Sequence, residues 1–542
     1  MNRFTPIAVA LAIAGCGDDA SQKSGAFDGY NNVNNSTNNV GQNNNTNGNS
    51  SNGNEAERFV VREVATTAAY VFVPNGDPTA STVARVDANT LTVTPLRVGQ
   101  SPRDVAATDI EGIGAVAYVL CEGNSTAAII RADQPSRTGV GEGDVRLFKV
   151  PSEVNRLTMS PDGRYAIAWI DPERSLSSSP IASLQVMALI KLGDTPAEDA
   201  VYNLSVTRLI RDVEFTNTGE LFLLGREGVN RLRLEDVTSD RLVPKLDLGL
   251  DSDLYPTDSF EMEVDDDGRF LVVRSAEAAE VVLYDLPDNP ADDPIPHPIA
   301  LSGLSSDIDL IAGAEPRVIL TVPSQRELVV VDVLEALADE TYTPDVKPLP
   351  VGLGLSQITP DGSHVVLYST LAGNYEVEQV SLTDDETSVW SLRNRVYALA
   401  VSPDSKRAIA IHRGDAFKDD TATDYFRSYN GLTLIDLATG YLRPIVLQGE
   451  ASDFVITPSA QGMLLFVLLK SPVAGTRGVM KINLDTFRSD FVALPKQPNQ
   501  LGRVGNKVFV SQEAADGRLT FFDLETNEQR TVSGYELNAV ID

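Results

Sequence analysis

Histidine, cysteine and tryptophan are scarce in this chain. Its 542 residues include three histidines, two cysteines and two tryptophans. The histidines are His297, His364 and His412, and no two of them have metal-ligand spacing such as His-Glu-x-x-His. No Gly-x-Ser-x-Gly nucleophile segment and no Cys-x-x-Cys-His haem-attachment segment occurs. A Ser-His-Asp triad is assembled from residues distant in sequence, so the sequence does not exclude one. The absence of these motifs nevertheless disfavours catalysis by histidine.

The two cysteines, Cys16 and Cys121, exclude a disulfide framework. Cys16 belongs to the terminal segment described below, and its modification there would leave Cys121 without a partner in this chain. Cys121 ends an apolar run (AVAYVLC, 115–121), which predicts a buried thiol. A reactive thiol requires an electropositive, accessible setting, so we expect Cys121 to be inert.

Basic residues are also few. The chain has 44 Lys and Arg against 76 Asp and Glu, a net charge of −32. Nucleic acid and anionic lipid both require basic patches, so we expect neither to bind the folded surface. Solubility is the simplest explanation of the charge, although basic partners or cations would also suit it.

The first sixteen residues have the pattern of a targeting segment. Arg3 precedes an apolar run from Phe4 to Ala14 that is too short to span a bilayer, and small residues lead to Cys16. This resembles the lipobox of bacterial lipoproteins. The resemblance implies a signal peptide over 1–15 and acyl chains on Cys16, which would anchor the protein stably. An ordinary signal peptide with an incidental cysteine is the alternative. Gly17, where that family carries Asp for inner-membrane retention, favours the outer membrane.

Residues 16–57 are predicted to be a disordered tether. Asn31–Asn54 contains 13 asparagines in 24 residues, with Ser, Thr and Gly filling most of the rest. Such a composition cannot bury enough apolar surface to offset the entropy of ordering. We interpret the segment as a spacer between Cys16 and a folded domain over 58–542.

A strand–turn–strand pattern repeats through the rest of the chain. Its clearest copy is VNRLTMSPDGRYAIAWI (154–170), in which Pro161, Asp162 and Gly163 form the turn. The units are about 40–55 residues long and contain about four short strands each. Many third strands end in an Asp step, which predicts a turn into the outermost strand: Asp285, Asp332, Asp436 and Asp523.

Repeats of four strands predict an all-β fold, a single β-propeller. The chain resembles YVTN-type and WD-repeat-like bacterial propellers at Ser160–Gly163, Thr359–Gly362 and Ser402–Ser405 and at the Asp steps. We count about ten units, with eight blades or two small propellers as alternatives. The first unit lacks an obvious inner strand, so we expect the C-terminal segment 535–542 to supply it and to close the ring by pairing N- and C-terminal strands.

Acidic loops were considered as calcium sites. Asp265, Asp266, Asp267 and Gly268 resemble the start of an EF-hand, but its twelfth position would be Arg274 instead of Glu. Two further groups lie in predicted loops: Asp288, Asp292 and Asp293, and Asp415, Asp419, Asp420 and Asp424. We predict no cofactor and no catalytic metal, with a structural Ca²⁺ in one acidic loop as the alternative.

The insertion 414–430 is the most promising binding loop. It contains Phe417, Tyr425, Phe426 and Tyr429 in a protein with only 6% aromatic residues. Long loops on rigid scaffolds often carry binding residues, and aromatic side chains are favoured at interfaces. A loop that merely folds over the rim is the alternative explanation.

Two functions follow from these features. The first is a membrane-anchored lipoprotein whose propeller binds a protein or glycan of the cell envelope without catalysis. The second is a hydrolase resembling lactonase-like propellers, with a metal in the central channel. The second requires several carboxylate or amide side chains that converge at the channel mouth. The sequence favours the non-enzymatic function but places no such ligands and names no partner.

Overall fold

The protein is a ten-bladed β-propeller, as the repeat count predicts. The computed structural model describes residues 59–60, 62–135, 142–172, 174, 185–246, 248, 260–290, 292–384, 386–414 and 426–535. Within these ranges the chain forms forty strands, one short α-helix and two 3₁₀ turns. No helix of this described part combines the length and apolarity needed to cross a bilayer.

Blades 1 to 5 each begin with the innermost strand and proceed outwards. Their strands are β1 (Ala65–Thr66), β2 (Tyr70–Pro74), β3 (Thr82–Asp87) and β4 (Val93–Arg97); β5 (Pro102–Ile110), β6 (Gly114–Cys121), β7 (Thr126–Pro135) and β8 (Glu142–Lys149); β9 (Arg156–Met159), β10 (Tyr165–Trp169), β11 (Val186–Lys191) and β12 (Ala200–Ser205); β13 (Asp212–Phe215), β14 (Glu220–Gly225), β15 (Gly228–Arg233) and β16 (Arg241–Leu242); and β17 (Phe260–Val264), β18 (Phe270–Ser275), β19 (Glu280–Asp285) and β20 (Ile295–Ala300).

Blades 6 to 10 repeat the same order. Their strands are β21 (Asp307–Ile311), β22 (Arg317–Val322), β23 (Glu327–Asp332) and β24 (Asp345–Pro348), with α1 (Val333–Ala338) before β24; β25 (Leu355–Ile358), β26 (His364–Tyr368), β27 (Glu376–Ser381) and β28 (Thr387–Ser391); β29 (Ala398–Val401), β30 (Arg407–His412), β31 (Gly431–Asp436) and β32 (Leu442–Val446); β33 (Glu450–Ser459), β34 (Gly462–Lys470), β35 (Gly478–Asn483) and β36 (Ser489–Ala493); and β37 (Pro498–Val504), β38 (Lys507–Gln512), β39 (Arg518–Asp523) and β40 (Gln529–Ser533).

Eight of the ten sheets have four described strands, and blades 3 and 4 depart from that pattern. Strand β16 leaves blade 4 and pairs in parallel with β12, so blade 3 has five strands and blade 4 has three. A single bridge between Asn230 and Lys245 marks the position where a fourth strand of blade 4 would lie.

The hydrophobic core is divided among the blade junctions. The described residues form ten buried clusters, and each cluster combines side chains of two neighbouring blades. Because both faces of every middle strand pack against a neighbour, these strands are nearly continuous runs of apolar residues, as Tyr165–Trp169 illustrates. The ring is therefore stabilised by repeated junctions, with no single central core.

The expectation that the first unit lacks an inner strand is wrong. The first blade takes its innermost strand from Ala65–Thr66, which is only two residues long, and it pairs with β2. Of the C-terminal segment, only Tyr535 lies within the described residues; its ring packs edge-on against Phe59, with centroids 5.1 Å apart. The Phe59 amide also donates a hydrogen bond to the Ala515 carbonyl at 2.8 Å. The two ends of the described chain thus meet, and the first blade has an innermost strand of its own. The predicted pairing by the C-terminal segment falls on 536–542, outside the described residues, and stays a prediction.

Candidate interaction surface on the upper face

The two faces of the ring differ in their loops. Since the strands of each blade are antiparallel, the turns after the first and third strands lie on one face, which we call the lower face. The loops after the second strands and the connections between blades lie on the opposite, upper face. The repeated sequence motifs therefore belong to the lower face, and the insertion 414–430 belongs to the upper face.

The Ser-Pro-Asp-Gly turns of the lower face satisfy their own polar groups. The Ser160 hydroxyl donates to an Asp162 carboxylate oxygen at 2.6 Å and accepts the Tyr165 amide at 3.0 Å. Gly163 adopts the positive φ of 67° that this turn requires. The same hydroxyl–carboxylate bonds recur at Thr359 and Ser402. These residues are structural turn-formers.

Three of the four predicted Asp steps are also confirmed as turn-formers. The carboxylates of Asp436 and Asp523 each accept two main-chain amides of the following turn, at 2.9–3.2 Å. The Asp332 carboxylate instead accepts the Glu335 amide at 3.0 Å and caps the helix α1. The lower face thus uses its acidic residues to close its own turns.

The predicted binding loop is partly within the described residues. Phe417 and Tyr425 lie outside them, and the acidic residues at 415, 419, 420 and 424 do as well. Phe426 is half-buried, and its carbonyl accepts the Asn394 side-chain amide at 3.0 Å. Tyr429 is 41% exposed. The role of these four aromatic residues in binding stays a prediction.

Three arginines around this loop lie over aromatic rings. The Arg393 guanidinium is 5.0 Å from the Phe426 ring centroid, that of Arg427 is 4.6 Å from Tyr375, and that of Arg413 is 3.9 Å from Tyr397. Arg413 also pairs with the Glu450 carboxylate. Such stacking uses the face of the guanidinium, so the N–H groups at its edge can still form hydrogen bonds. No local sequence pattern marks these arginines, because the rings beneath them lie elsewhere in the chain or in a loop.

A small cleft lies beneath Arg393. It has room for about one water molecule, and it is lined on one side by Phe426 and on the others by strands β31 and β32, including Pro444 and Ile445. At its base His412 donates from Nδ1 to the Arg395 carbonyl and accepts the Thr433 hydroxyl at Nε2, each at 2.8 Å. Burial lowers the pKa of His412 to about 4. This histidine is therefore neutral and structural, and the cleft has its positive charge only at its mouth.

Three exposed apolar side chains lie in the upper-face loops of blades 7 to 9. Leu371 is 70% exposed and Val473 is 60% exposed, in the upper-face loops of blades 7 and 9, on either side of Tyr429 in blade 8. A fourth, Leu304, lies on the connection from blade 5 to blade 6. Among the described upper-face loops of blades 1 to 4, no large apolar side chain is comparably exposed. Leu371 and Val473 could have been found as apolar residues within Gly- and Pro-containing loops.

The upper face of blades 1 to 3 carries ion pairs instead. Arg174 contacts carboxylate oxygens of Asp104 and Glu63, both at 2.9 Å, and so joins blade 3 to the start of the described chain. Burial raises the pKa of Asp104 to about 7, and Arg174 opposes that rise. Arg156 pairs with Asp171 at 2.9 Å. Because these charged groups are paired with one another, they are less available to a partner than the side chains of blades 7 to 9.

Carboxylates near the central channel connect neighbouring blades. Asp104, Asp307 and Asp453 each lie near the start of an innermost strand and accept a main-chain amide of the next blade, at 2.7–2.8 Å. The amides belong to Leu157, Ser356 and Leu501. No three His, Cys, Asp or Glu side chains converge as metal ligands in the part of the chain that is described.

The remaining candidate residues have structural environments or lie outside the description. Cys121 is buried, which confirms that prediction, and burial raises the pKa of its thiol to about 12. In the acidic turn, the Asp265 carboxylate accepts the amides of Arg269 and Phe270 and so closes its own turn. Cys16 lies outside the described residues, and its lipidation stays a prediction.

The comparisons with known proteins agree with the fold alone. No protein-family model and no curated protein matches the sequence. A eukaryotic initiation factor structure is 11% identical, over 88% of this chain and 98% of that one, with a TM-score of 0.46. The dihydro-heme d1 dehydrogenase NirN in complex with DHE is 14% identical, over 68% and 78%, with a TM-score of 0.39. Apo AztD from Citrobacter koseri is 12% identical, over 80% and 98%, with a TM-score of 0.37. At such values the likeness does not extend to activity, ligand or partner.

Proposed function

We propose that this protein is an outer-membrane lipoprotein that holds a partner of the cell envelope on the upper face of blades 7 to 9. Acyl chains on Cys16 anchor it, the Asn-rich segment separates the propeller from the bilayer, and the propeller acts without catalysis. The partner is an envelope protein or glycan, and nucleic acid is not expected to bind.

One observation supports this proposal above the others. Leu371, Tyr429 and Val473 are exposed on adjacent blades of one face, among the arginines that lie over aromatic rings. Aromatic residues and arginine are enriched at the centres of protein interfaces, and grouped apolar exposure marks interaction surfaces. The lower face of the same ring uses its side chains for its own turns.

Anchoring is tested by cell fractionation. The variant Cys16→Ala should leave the membrane fraction, because a single targeting segment without acyl chains gives no stable anchor. A variant that stays in the membrane fraction would contradict the lipoprotein proposal. Substitution of Cys121, which is buried, serves as the control for cysteine loss and should leave the protein in the membrane.

Partner binding is tested by photo-crosslinking in cells. A photoreactive amino acid at Leu371, Tyr429 or Val473 should give one shared crosslinked product. The same amino acid at Leu242 or Ile295, exposed by 73% and 67% on outermost strands, should give none of it. Equal crosslinking from both sets would contradict the assignment to this face.

A further inference from the structure

The outer side of the junction between blades 5 and 6 exposes three apolar side chains. Ile295 on β20 is 67% exposed, Leu334 on α1 is 46% exposed and Val346 on β24 is 43% exposed. Ile295 lies on the same face of β20 as Ile299, and Val346 is paired in register with Val329. Because Ile299 and Val329 belong to the buried cluster of this junction, Ile295 and Val346 border that cluster where the two blades meet the solvent.

The helix α1 belongs to the same surface. It follows β23 directly, and its Val333 and Ala336 side chains are buried in the cluster of this junction. Leu334 therefore lies on the solvent side of a helix that is packed between the two blades. We call Ile295, Leu334 and Val346 the blade 5–6 rim. Grouped apolar exposure of this kind marks interaction surfaces.

The strands at this rim are poor templates for pairing with a strand of another protein. Pro296 and Pro298 lie in β20, and Pro348 lies in β24. Proline on an edge strand takes positions where a backbone N–H would face the solvent, so these edges offer few donors to an added strand. We therefore expect a partner to bind the blade 5–6 rim through side chains.

The negative charge of the protein is concentrated on these two blades. Residues 260–350 contain 20 Asp and Glu against 5 Lys and Arg, a net charge of −15 out of −32. Blades 9 and 10, over 450–533, contain nine of each. Of the basic residues near the rim, Lys347 is buried and Arg269 pairs with Asp265 at 3.0 Å. Exposed carboxylates adjoin the apolar side chains of the rim in sequence: Asp292, Glu335, Glu340 and Asp345.

We propose that the blade 5–6 rim binds a basic segment of a second partner protein. Apolar side chains of that segment cover Ile295, Leu334 and Val346, and its lysines or arginines lie beside the surrounding carboxylates. A second copy of this chain is disfavoured, because the two rims would carry charge of the same sign. Anionic lipid and nucleic acid are repelled for the same reason. This surface is separate from the upper face of blades 7 to 9, so the inference goes beyond the proposed function.

Two synthetic peptides test the apolar part of this inference. The protein is the full-length Cys16→Ala variant, which carries no acyl chain at that position and is used without detergent. The first peptide forms a helix with lysine on one face and leucine on the other, and the second replaces leucine by serine at equal charge. We expect the first peptide to bind at least about tenfold more tightly, since only it can cover the apolar side chains.

Apolar variants locate that preference. The double variant Ile295→Ser and Val346→Ser should remove the preference for the leucine peptide, because it takes away two of the three exposed apolar side chains of the rim. The matched double variant Leu147→Ser and Leu242→Ser changes residues that are exposed on other outermost strands, and it should keep the preference.

Matched charge variants test the electrostatic part. One variant neutralises four carboxylates of the rim: Asp292→Asn, Glu335→Gln, Glu340→Gln and Asp345→Asn. The other neutralises four exposed carboxylates of blades 2, 9 and 10: Glu111→Gln, Asp490→Asn, Glu525→Gln and Glu528→Gln. Both variants change the net charge equally. We expect the first to weaken binding of the leucine peptide at least about tenfold and the second by less than about twofold.

Each other outcome overturns the inference. Equal weakening by the two charge variants would mean that the overall charge attracts the peptide. Equal binding of the two peptides, or a preference that persists in Ile295→Ser and Val346→Ser with an unchanged thermal unfolding midpoint, would show that the apolar side chains take no part. Dimers that dissociate in that same variant during analytical ultracentrifugation would assign the rim to a second copy. Crosslinking from Tyr429 tests the upper face independently, so the two proposals can fail separately.

Discussion

The lower and upper faces of this propeller are built from the same blades but use their side chains differently. On the lower face, Ser160, Thr359 and Ser402 bond within their turns, and Arg131 reaches into the next blade. On the upper face of blades 7 to 9, Leu371 and Val473 are exposed and Arg393 lies over an aromatic ring. The repeated turns of the lower face therefore use their polar groups within the ring, whereas the upper face of blades 7 to 9 leaves side chains available to a partner.

The largest effect is expected at a buried ion pair of the lower side. Arg131 and Asp199 are 3% and 0% exposed and form two bonds of 2.6 and 2.8 Å between blades 2 and 3. The variant Asp199→Ala should lower the free energy of unfolding by about 3–5 kcal/mol, because Arg131 stays buried without its partner. Urea unfolding measures this loss.

The matched control is the neighbouring exposed carboxylate. Asp194 is 79% exposed and pairs with Arg164 at 2.6 Å. Asp194→Ala should change the free energy of unfolding by less than about 1 kcal/mol. Similar losses in the two variants would contradict the importance assigned to the buried pair.

The next effect is expected at Glu378, a buried carboxyl group of blade 7. Glu378 is fully buried in β27; one carboxylate oxygen accepts the Val351 amide at 3.3 Å, and the other has no partner among the described residues. Burial raises the pKa of Glu378 to about 7. Between about pH 4.5 and 7 the unfolded chain has lost the Glu378 proton, whereas the folded protein still holds it. The free energy of unfolding therefore falls as the pH rises through this range.

The variant Glu378→Gln removes this pH dependence. It should be more stable than the wild type by about 3 kcal/mol at pH 8 and nearly equal to it at pH 4. Thermal unfolding of both proteins across this pH range measures the difference. A constant difference at every pH would show that Glu378 does not titrate as its burial predicts.

A smaller loss is expected for the repeated turns. The Ser402 hydroxyl is buried, donates to Asp404 at 2.6 Å and accepts the Arg407 amide at 2.9 Å. Ser402→Ala should lower the free energy of unfolding by about 1 kcal/mol, the usual contribution of such hydrogen bonds. If partner crosslinking at Tyr429 falls in this variant as well, the faces are less independent than proposed.

The smallest change in stability is expected on the upper face. The double variant Leu371→Ser and Val473→Ser should alter the free energy of unfolding by less than about 0.5 kcal/mol, since both side chains are exposed. Crosslinking to the partner from Tyr429 should nevertheless be lost. Retained crosslinking would remove these two residues from the interaction surface.

The sequence alone was sufficient for the ring of ten blades, because alternation of strands and turns repeats in every unit. Gly163 and the Asp steps illustrate the reason. A turn whose hydrogen bonds join residues close in sequence can be recognised from those residues alone. The first blade was the exception, since a strand of two residues, Ala65–Thr66, is too short to give a periodic signal.

The tertiary structure alone decided what the loops bring together. Arg393 is 33 residues from Phe426 and Leu371 is 102 residues from Val473, so no local pattern connects the members of either pair. Strand order around the ring places them on one face, and packing decides which side chains stay exposed. Local hydrogen bonding is therefore readable from the sequence, whereas the candidate surface depends on contacts between blades.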